Sequence, residues 1–272
     1  MKPLHPGPLI SLTTDFGLAD HYVGTMKGVL VSRCPGVRII DISHEISPFS
    51  IYSGAYTIDQ AAPYFPPGTI HVIVVDPGVG TARKPLLLEA LGQLFIAPDN
   101  GVLSMIIGRA KKAKAREITN RKLWLALPSS TFHGRDIFAP VAAALASGTV
   151  RADKVGPILA KVELLPDIDA RQIKPGEWRG KLLSIDRFGN AITNFRSSDF
   201  PTLSTSRFSL RVGNRRITRF QRTFGEAPNG LCIAYFGSSG YIELAVKQQS
   251  AAAALNASAG DVAFLRLLDL QK

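Results

Sequence analysis

An aspartate, an arginine and a histidine in this chain could together handle a water molecule: Asp76, Arg83 and His133. A carboxylate and an imidazole can orient and deprotonate water, while a guanidinium, which stays protonated, stabilises developing hydroxide. Asp76 closes the β-branched run Val72 to Val75 and is followed by Pro77-Gly78, Gly80 and Arg83. Such a run reads as a strand buried on both faces, and ligands of open α/β sheets bind beyond the carboxyl ends of the strands. The plainer alternative is an Asp–Arg salt bridge beside an unrelated histidine.

Other polar groups fall at comparable places. Asp15, Asp41 and Asp76 end successive expected strands, and with His44, Asp99, His133 and Asp136 they could converge on one edge of a sheet. Acids there can equally cap the helices that follow. Gly78–Arg83 lacks the third glycine of a dinucleotide fingerprint, and no P-loop, GxSxG or HExxH motif occurs. Further on, Asp186–Asn190 with Asn194-Phe195, and Ser238-Ser239-Gly240, form two polar turns that also read as ordinary hairpin turns.

The elements that must position these groups follow from periodicity. Leu9–Phe16, Val37–Ser43 and Ile70–Asp76 read as strands; His21–Arg33 and Tyr52–Tyr64 read as helices between them. That alternation predicts a parallel sheet with helices on its faces. Pro85–Glu89 and Gln93–Ala97 suggest a hairpin, Val102–Arg109 a short helix, Lys111–Arg116 a charged surface run, and Leu123–Leu127 another strand. Ile137–Ser147 reads as a helix with His133 in the loop at its N-terminus, where the dipole favours negative charge. Val155–Glu177 reads as a linker, and from Lys181 short strands separated by Gly, Asn and Ser turns suggest a barrel or sandwich. The expected architecture is therefore an α/β domain over 1–166, three-layered with a mostly parallel sheet, and an all-β, barrel-like domain over 175–272.

Composition narrows the class. With 46% hydrophobic and 19% charged residues, the 272-residue chain can bury a substantial core. No apolar run reaches the roughly 18 residues that span a bilayer, and the proline-broken N-terminus makes a poor signal peptide. Cys34 and Cys232 lack metal-type spacing and fit reduced thiols, so a cytoplasmic location is expected. More than half of the net charge of +11 falls after residue 172, notably on Arg211, Arg215, Arg216, Arg219 and Arg222. Without a recognition motif this reads as a solvated face rather than a nucleic-acid site.

Seven ordered stretches carry a resemblance: TTDFG…D at Thr13–Asp20, DISHEI at Asp41–Ile46, VDPGVGTAR at Val75–Arg83, PDNG at Pro98–Gly101, FHGRD at Phe132–Asp136, DRFGNAITN at Asp186–Asn194 and GSSGYIELAV at Gly237–Val246. Together they resemble the S-adenosyl-L-methionine (SAM) hydroxide adenosyltransferases, the SAM hydrolases related to fluorinase and chlorinase. The resemblance implies hydrolysis of SAM to adenosine and L-methionine without metal or cofactor. It also implies a homotrimer, with sites between the α/β domain of one subunit and the β-domain of its neighbour. It places the catalytic triad on Asp76, Arg83 and His133, and ribose binding on Asp15, with Asp20 nearby. Methionine-end contacts fall on Asp186 and Ser238, and adenine-side contacts on Phe188 and Asn190, with Phe224 and Val246 around the base. The fluorinase pattern has Tyr and Thr where this chain has Asp76 and Val79, and Tyr-Ser in place of His133-Gly134, so the resemblance points to water rather than halide. The rival readings are a metal-dependent phosphoesterase, a non-catalytic SAM or adenosine sensor, which would retain its ligand without turnover, and an RNA-associated protein using the arginine-rich β-domain, which would bind RNA in a salt-sensitive way.

Overall fold

Six strands form the first sheet: β1 (Leu9–Thr14), β2 (Arg38–Ser43), β3 (Ile70–Val74), β4 (Pro85–Ala90), β5 (Gln93–Pro98) and β6 (Ala113–Glu117), in the order β2-β1-β3-β5-β4-β6. The structure is a computed structural model and describes residues 7–268. The strands β2, β1, β3 and β5 are parallel, while β4 runs antiparallel to both β5 and β6. Four helices accompany the sheet: α1 (Tyr22–Arg33), α2 (Ile51–Ala61), α3 (Ser104–Arg109) and α4 (Ala139–Ala146).

Strand β3, IHVIV, is buried along its whole length, and successive side chains point to opposite faces. Val72 and Val74 therefore pack with Met26 and Leu30 of α1 and Val141 of α4. Ile73 packs with Ile58 of α2 and Ile106 of α3 on the other side. Each such side chain contributes about 1.5–3 kcal/mol when fully buried. The expected three layers and mostly parallel sheet are found.

Three local expectations are corrected. Lys111–Arg116 is not merely a charged surface run, because 113–117 forms the edge strand β6; basic side chains on an edge discourage pairing with other chains. Leu123–Leu127 is not a strand. Its Leu123 and Trp124 carbonyls accept from the Arg33 guanidinium, and Leu125 N–H donates to Asp136 O, so no strand partner is needed. The stretch 155–177 is not a free linker: Leu159 N–H donates to Ala115 O at 2.9 Å, and Arg171–Lys174 forms strand β7.

The chain divides into two units, one up to Leu165 and one from Pro166. The second holds β7, β8 (Glu177–Ile185), β9 (Ala191–Arg196), β10 (Phe208–Val212), β11 (Arg215–Ile217), β12 (Cys232–Phe236), β13 (Tyr241–Val246), the short helix α5 (Ala251–Leu255) and β14 (Val262–Leu267). Its sheet is antiparallel, ordered β11-β10-β14-β8-β9-β13-β12, with β7 on β8. The first half of β8 pairs with β14 and the second with β9, so one strand turns the sheet. After β11, Ala234 N–H donates to Arg219 O and Gln221 N–H to Ala234 O, which brings the chain back onto β12. The result is the expected barrel-like, nearly closed sheet around Phe195, Phe208, Leu244 and Leu265. Both Cys34 and Cys232 are free thiols, and no helix among the described residues is long and apolar enough to cross a membrane.

Candidate active site

Parallel pairing decides where two of the carboxylates emerge. Thr14 of β1 lies opposite Val74 of β3, so Asp15 and Asp76 leave the same edge of adjacent strands. The loop after Asp76 folds back on itself. Val79 N–H donates to Asp76 O, Thr81 Oγ1 to Gly78 O at 2.7 Å, and Arg83 N–H to Thr81 Oγ1. Gly80 has φ of 78°, and a Cβ there would strike the Ser130 carbonyl, so this turn requires glycine. Asn100 of the PDNG stretch holds the strand end from behind, its Nδ2 donating to Val75 O at 2.9 Å. His133 directly precedes a π-helical turn, Gly134–Phe138, that leads into α4. A Cβ on Gly134 would come within 3.1 Å of Met26 Sδ, so glycine lets this segment sit against α1 and β3.

These elements bring Asp76, Arg83 and His133 into contact. Arg83 Nε donates to Asp76 Oδ1 at 3.0 Å and Nη2 to Asp76 Oδ2, a bidentate pair. Nη2 also lies 2.8 Å from His133 Nδ1. The pair is almost dry, with 5% of the Asp76 and 7% of the Arg83 side chain exposed. Arg83 Nη1 is buried and has no acceptor among the described residues; Arg83 stands behind Asp76 and His133 and does not itself line the cavity they face. Asp76 and His133 line a cavity of about 390 Å³ together with Asp15, Phe49, Tyr22 and Phe132. Asp15 Oδ2 accepts from Phe49 N–H at 2.8 Å. Phe49 has φ of 65°, a left-handed conformation that is strained for a bulky residue. Sequence reasoning missed this aromatic wall of Phe16, Tyr22, Phe49 and Phe132; the only available signal was the aromatic density beside the DFG and FHG stretches.

Burial pushes the Asp15 carboxyl above its ordinary range, the Asp76 charge adds to that, and the Phe49 N–H opposes it. Burial, and then the Arg83 cation, push His133 below the ordinary imidazole value. A guanidinium only donates, so Nδ1 is the acceptor and neutral His133 carries its proton on Nε2. In this arrangement the ring has an Nε2 proton to offer a water and no free nitrogen with which to take one, which differs from the base role considered from sequence. The pH dependence follows. A depressed pKa means the neutral ring persists above it and is lost as pH falls through it. Turnover is therefore expected to stay flat on acidification from pH 8 to 7 and to decline only below the ordinary imidazole range of about 6.5. A pH–kcat profile already falling between pH 8 and 7 would contradict this.

Several named residues lie elsewhere. Asp20 is exposed and does not line the cavity. Asp41 pairs with Lys27 and His44, Asp99 Oδ1 accepts from Glu163 N–H, and Asp136 holds Ser129 N–H and Arg135. The acids at the strand ends thus divide into two that face the cavity, Asp15 and Asp76, and others that brace loops.

In the second unit, Phe188, Asn190, Phe224 and Val246 line one cavity of about 630 Å³, bordered also by Gln248 and Ser250. Phe188 is 79% and Phe224 59% exposed, leaving two aromatic faces available. Asp186 braces this turn, accepting from Phe188 N–H, Asn190 N–H and Asn190 Nδ2. Ser238 is not brought to it. The turn holding Asp186 adjoins the start of β9, opposite Leu244, whereas the turn holding Ser238 adjoins the start of β13, opposite Arg196. These are opposite ends of a strand pair roughly 17–20 Å long. The Ser238 turn is instead organised by buried Glu243, which accepts from Tyr235 Oη and from Ser239 Oγ at 3.0 Å. An acid inside an apolar strand, YIELAV, was the signal for it.

Fold and site define a chain of two units, an α/β unit carrying the polar cluster and a barrel-like β-unit following it in sequence. Residues 10–156 match the SAM hydroxide adenosyltransferase N-terminal domain, and residues 180–263 match the C-terminal domain. The chain belongs to the SAM hydroxide adenosyltransferase family. It is 39% identical to the (R)-S-adenosyl-L-methionine hydrolase of Thermus thermophilus, over 91% of this chain and 95% of that one. The protein of the same name from Salinispora tropica is 40% identical, over 94% and 97%. A fluorinase from Nocardia brasiliensis is more distant, at 30% over 93% and 95%. A crystal structure of a conserved protein from Thermotoga maritima is similar, with a TM-score of 0.82, 37% identity, and 94% of this chain and 99% of that one covered.

Proposed function

We propose that this protein hydrolyses SAM to adenosine and L-methionine. The observation that carries the reading is the contact set Asp76–Arg83–His133 at the edge of a half-enclosed cavity, in a chain of this family. Arg83 presents a cation that favours hydroxide character in a bound water, and His133 fixes that water through its Nε2 proton. Asp76 holds Arg83 in place and offsets the repulsion between its charge and the sulfonium. The water oxygen forms a bond to C5′ as the C5′–S bond breaks. Sulfur takes the electron pair and leaves as the neutral thioether of methionine, and the surplus proton on oxygen goes to solvent. Holding water in line with the bond that breaks can supply up to about 7–11 kcal/mol in ideal cases.

Asp15 is read as the ribose partner. Phe188, Asn190, Phe224 and Val246 are read as the adenine-side surface. Asp186 sets the turn that carries two of them. The first-unit cavity offers the water-handling groups and the second-unit cavity the aromatic faces, which supports a site that combines an α/β unit with a β-unit; a homotrimer joining them across copies is what the family resemblance implies. The reaction is read as needing no metal or cofactor, because the sulfonium already leaves as a neutral thioether and Arg83 and His133 supply the groups that position the water. Free thiols at Cys34 and Cys232 support a cytoplasmic setting.

Incubation with SAM in chelator-containing buffer and ¹⁸O-water tests the reading. Equal amounts of adenosine and methionine, with label in the adenosine 5′-hydroxyl, are expected. SAM retained but uncleaved would overturn hydrolysis in favour of a sensor.

A further inference from the structure

The DISHEI stretch supplies nothing to the cavity, yet it contains a buried histidine. His44 has 2% of its side chain exposed and joins groups from two strands and a helix. Its Nδ1 lies 2.8 Å from Thr14 Oγ1, and its Nε2 lies 3.0 Å from Asp41 Oδ1, close but not aligned as a straight hydrogen bond. Asp41 Oδ2 in turn accepts from Lys27 Nζ at 2.6 Å. Residues three apart on a regular strand point to opposite faces. Here the β1–β2 register slips between Leu12/Asp41 and Thr13/Ser43, and that bulge re-aims the side chains so that Asp41 and His44 meet.

The Asp41 carboxylate beside Nε2 favours one direction for the chain electrostatically, without a formed hydrogen bond. Asp41 only accepts, so His44 Nε2 carries a proton, Nδ1 accepts from the Thr14 hydroxyl, and Thr14 Oγ1 is left to accept from Phe16 N–H at 3.3 Å. Gly17 N–H donates to the His44 carbonyl at 2.8 Å. His44 thus holds the chain on both sides of Asp15, at Thr14 through its ring and at Gly17 through its carbonyl, while Phe49 N–H donates to Asp15 Oδ2. Its remaining oxygen, Oδ1, is the one free to meet a ligand in the cavity it lines.

We propose that Lys27, Asp41, His44 and Thr14 form a positioning chain that aims the Asp15 carboxylate at the ribose hydroxyls of SAM; this rests on the hydrolase reading. None of the four touches substrate. Their effect is on recognition, whereas a brace serving only the fold would affect melting temperature alone.

Thr14→Val keeps the shape and removes the hydroxyl, and Thr14→Ser restores it. KM and kcat are measured for SAM and for its 3′-deoxy analogue, with thermal melts alongside. Thr14→Val is expected to raise KM for SAM by about tenfold with a smaller change in kcat. It should also lose most of the wild-type preference for SAM over the deoxy analogue, and Thr14→Ser should recover both. Asp41→Asn, at the half-exposed end of the chain, should move the same quantities by about threefold and serves if Thr14→Val does not fold. Wild-type KM and wild-type discrimination in a folded variant would overturn the proposal. Failure of the wild-type protein to cleave SAM would instead remove the function reading, and this role with it.

Discussion

Asp76→Asn is expected to lower kcat for SAM hydrolysis by about 10²–10³-fold, with KM changed by less than about threefold. Asparagine offers Arg83 one acceptor and turns an amide donor toward the other N–H. The guanidinium then loses its bidentate seat and with it the contact to His133 Nδ1. The Arg83 cation also stands uncompensated where the substrate sulfonium must approach. Because the pair is nearly dry, losing one partner also costs about 3–5 kcal/mol of stability. The experiment therefore reads kcat and KM on protein shown to be folded by its thermal melt. A folded Asp76→Asn protein with kcat within threefold of wild type would rule out Asp76 as the residue that holds the water-handling groups.

What was legible in the sequence was what lies on regular elements. The run Val72 to Val75 announced the central strand, and the Pro77-Gly78 turn announced its end, just beyond which Arg83 lies. His133 was legible as the residue before a helix, although the π-helical turn that locates it depends on Gly134 packing against Met26, a contact 108 residues distant in the chain. Contacts of that kind leave no periodic trace. Asp15, Asp41 and Asp99 look alike in one dimension, each an acid at a strand end. Only the pairing of β1 with β3 and the slip between β1 and β2 determine that Asp15 faces the cavity while Asp41 meets Lys27 and His44. The place of Ser238 was not legible for a related reason. A polar turn is recognisable from its residues, but which end of the barrel it occupies is set by the register of β9 with β13.

A second large effect concerns stability rather than turnover. His71, in the middle of β3, is fully buried between Phe65 and Phe95, with ring centroids 5.1 and 4.9 Å away. Its Nδ1 meets Ser11 Oγ at 2.6 Å, and Nε2 has no hydrogen-bond partner. Burial pushes its pKa down from 6.5 to about 4, with a contact to Gln93 opposing only part of that. In the window between those values the unfolded chain binds a proton that the folded chain excludes, so stability rises with pH there. The contribution is fully present above about 6.5 and is lost progressively as pH falls toward 4, by about 3 kcal/mol in all. Urea unfolding at pH 7, 6 and 5 measures it. His71→Leu removes the titration, so its stability should fall less steeply over this range than that of the wild type, whatever its stability at pH 7. Equal slopes for the two proteins would mean that the imidazole accepts a proton within the fold, and that its place between the two rings is less dry than the packing of β3 requires.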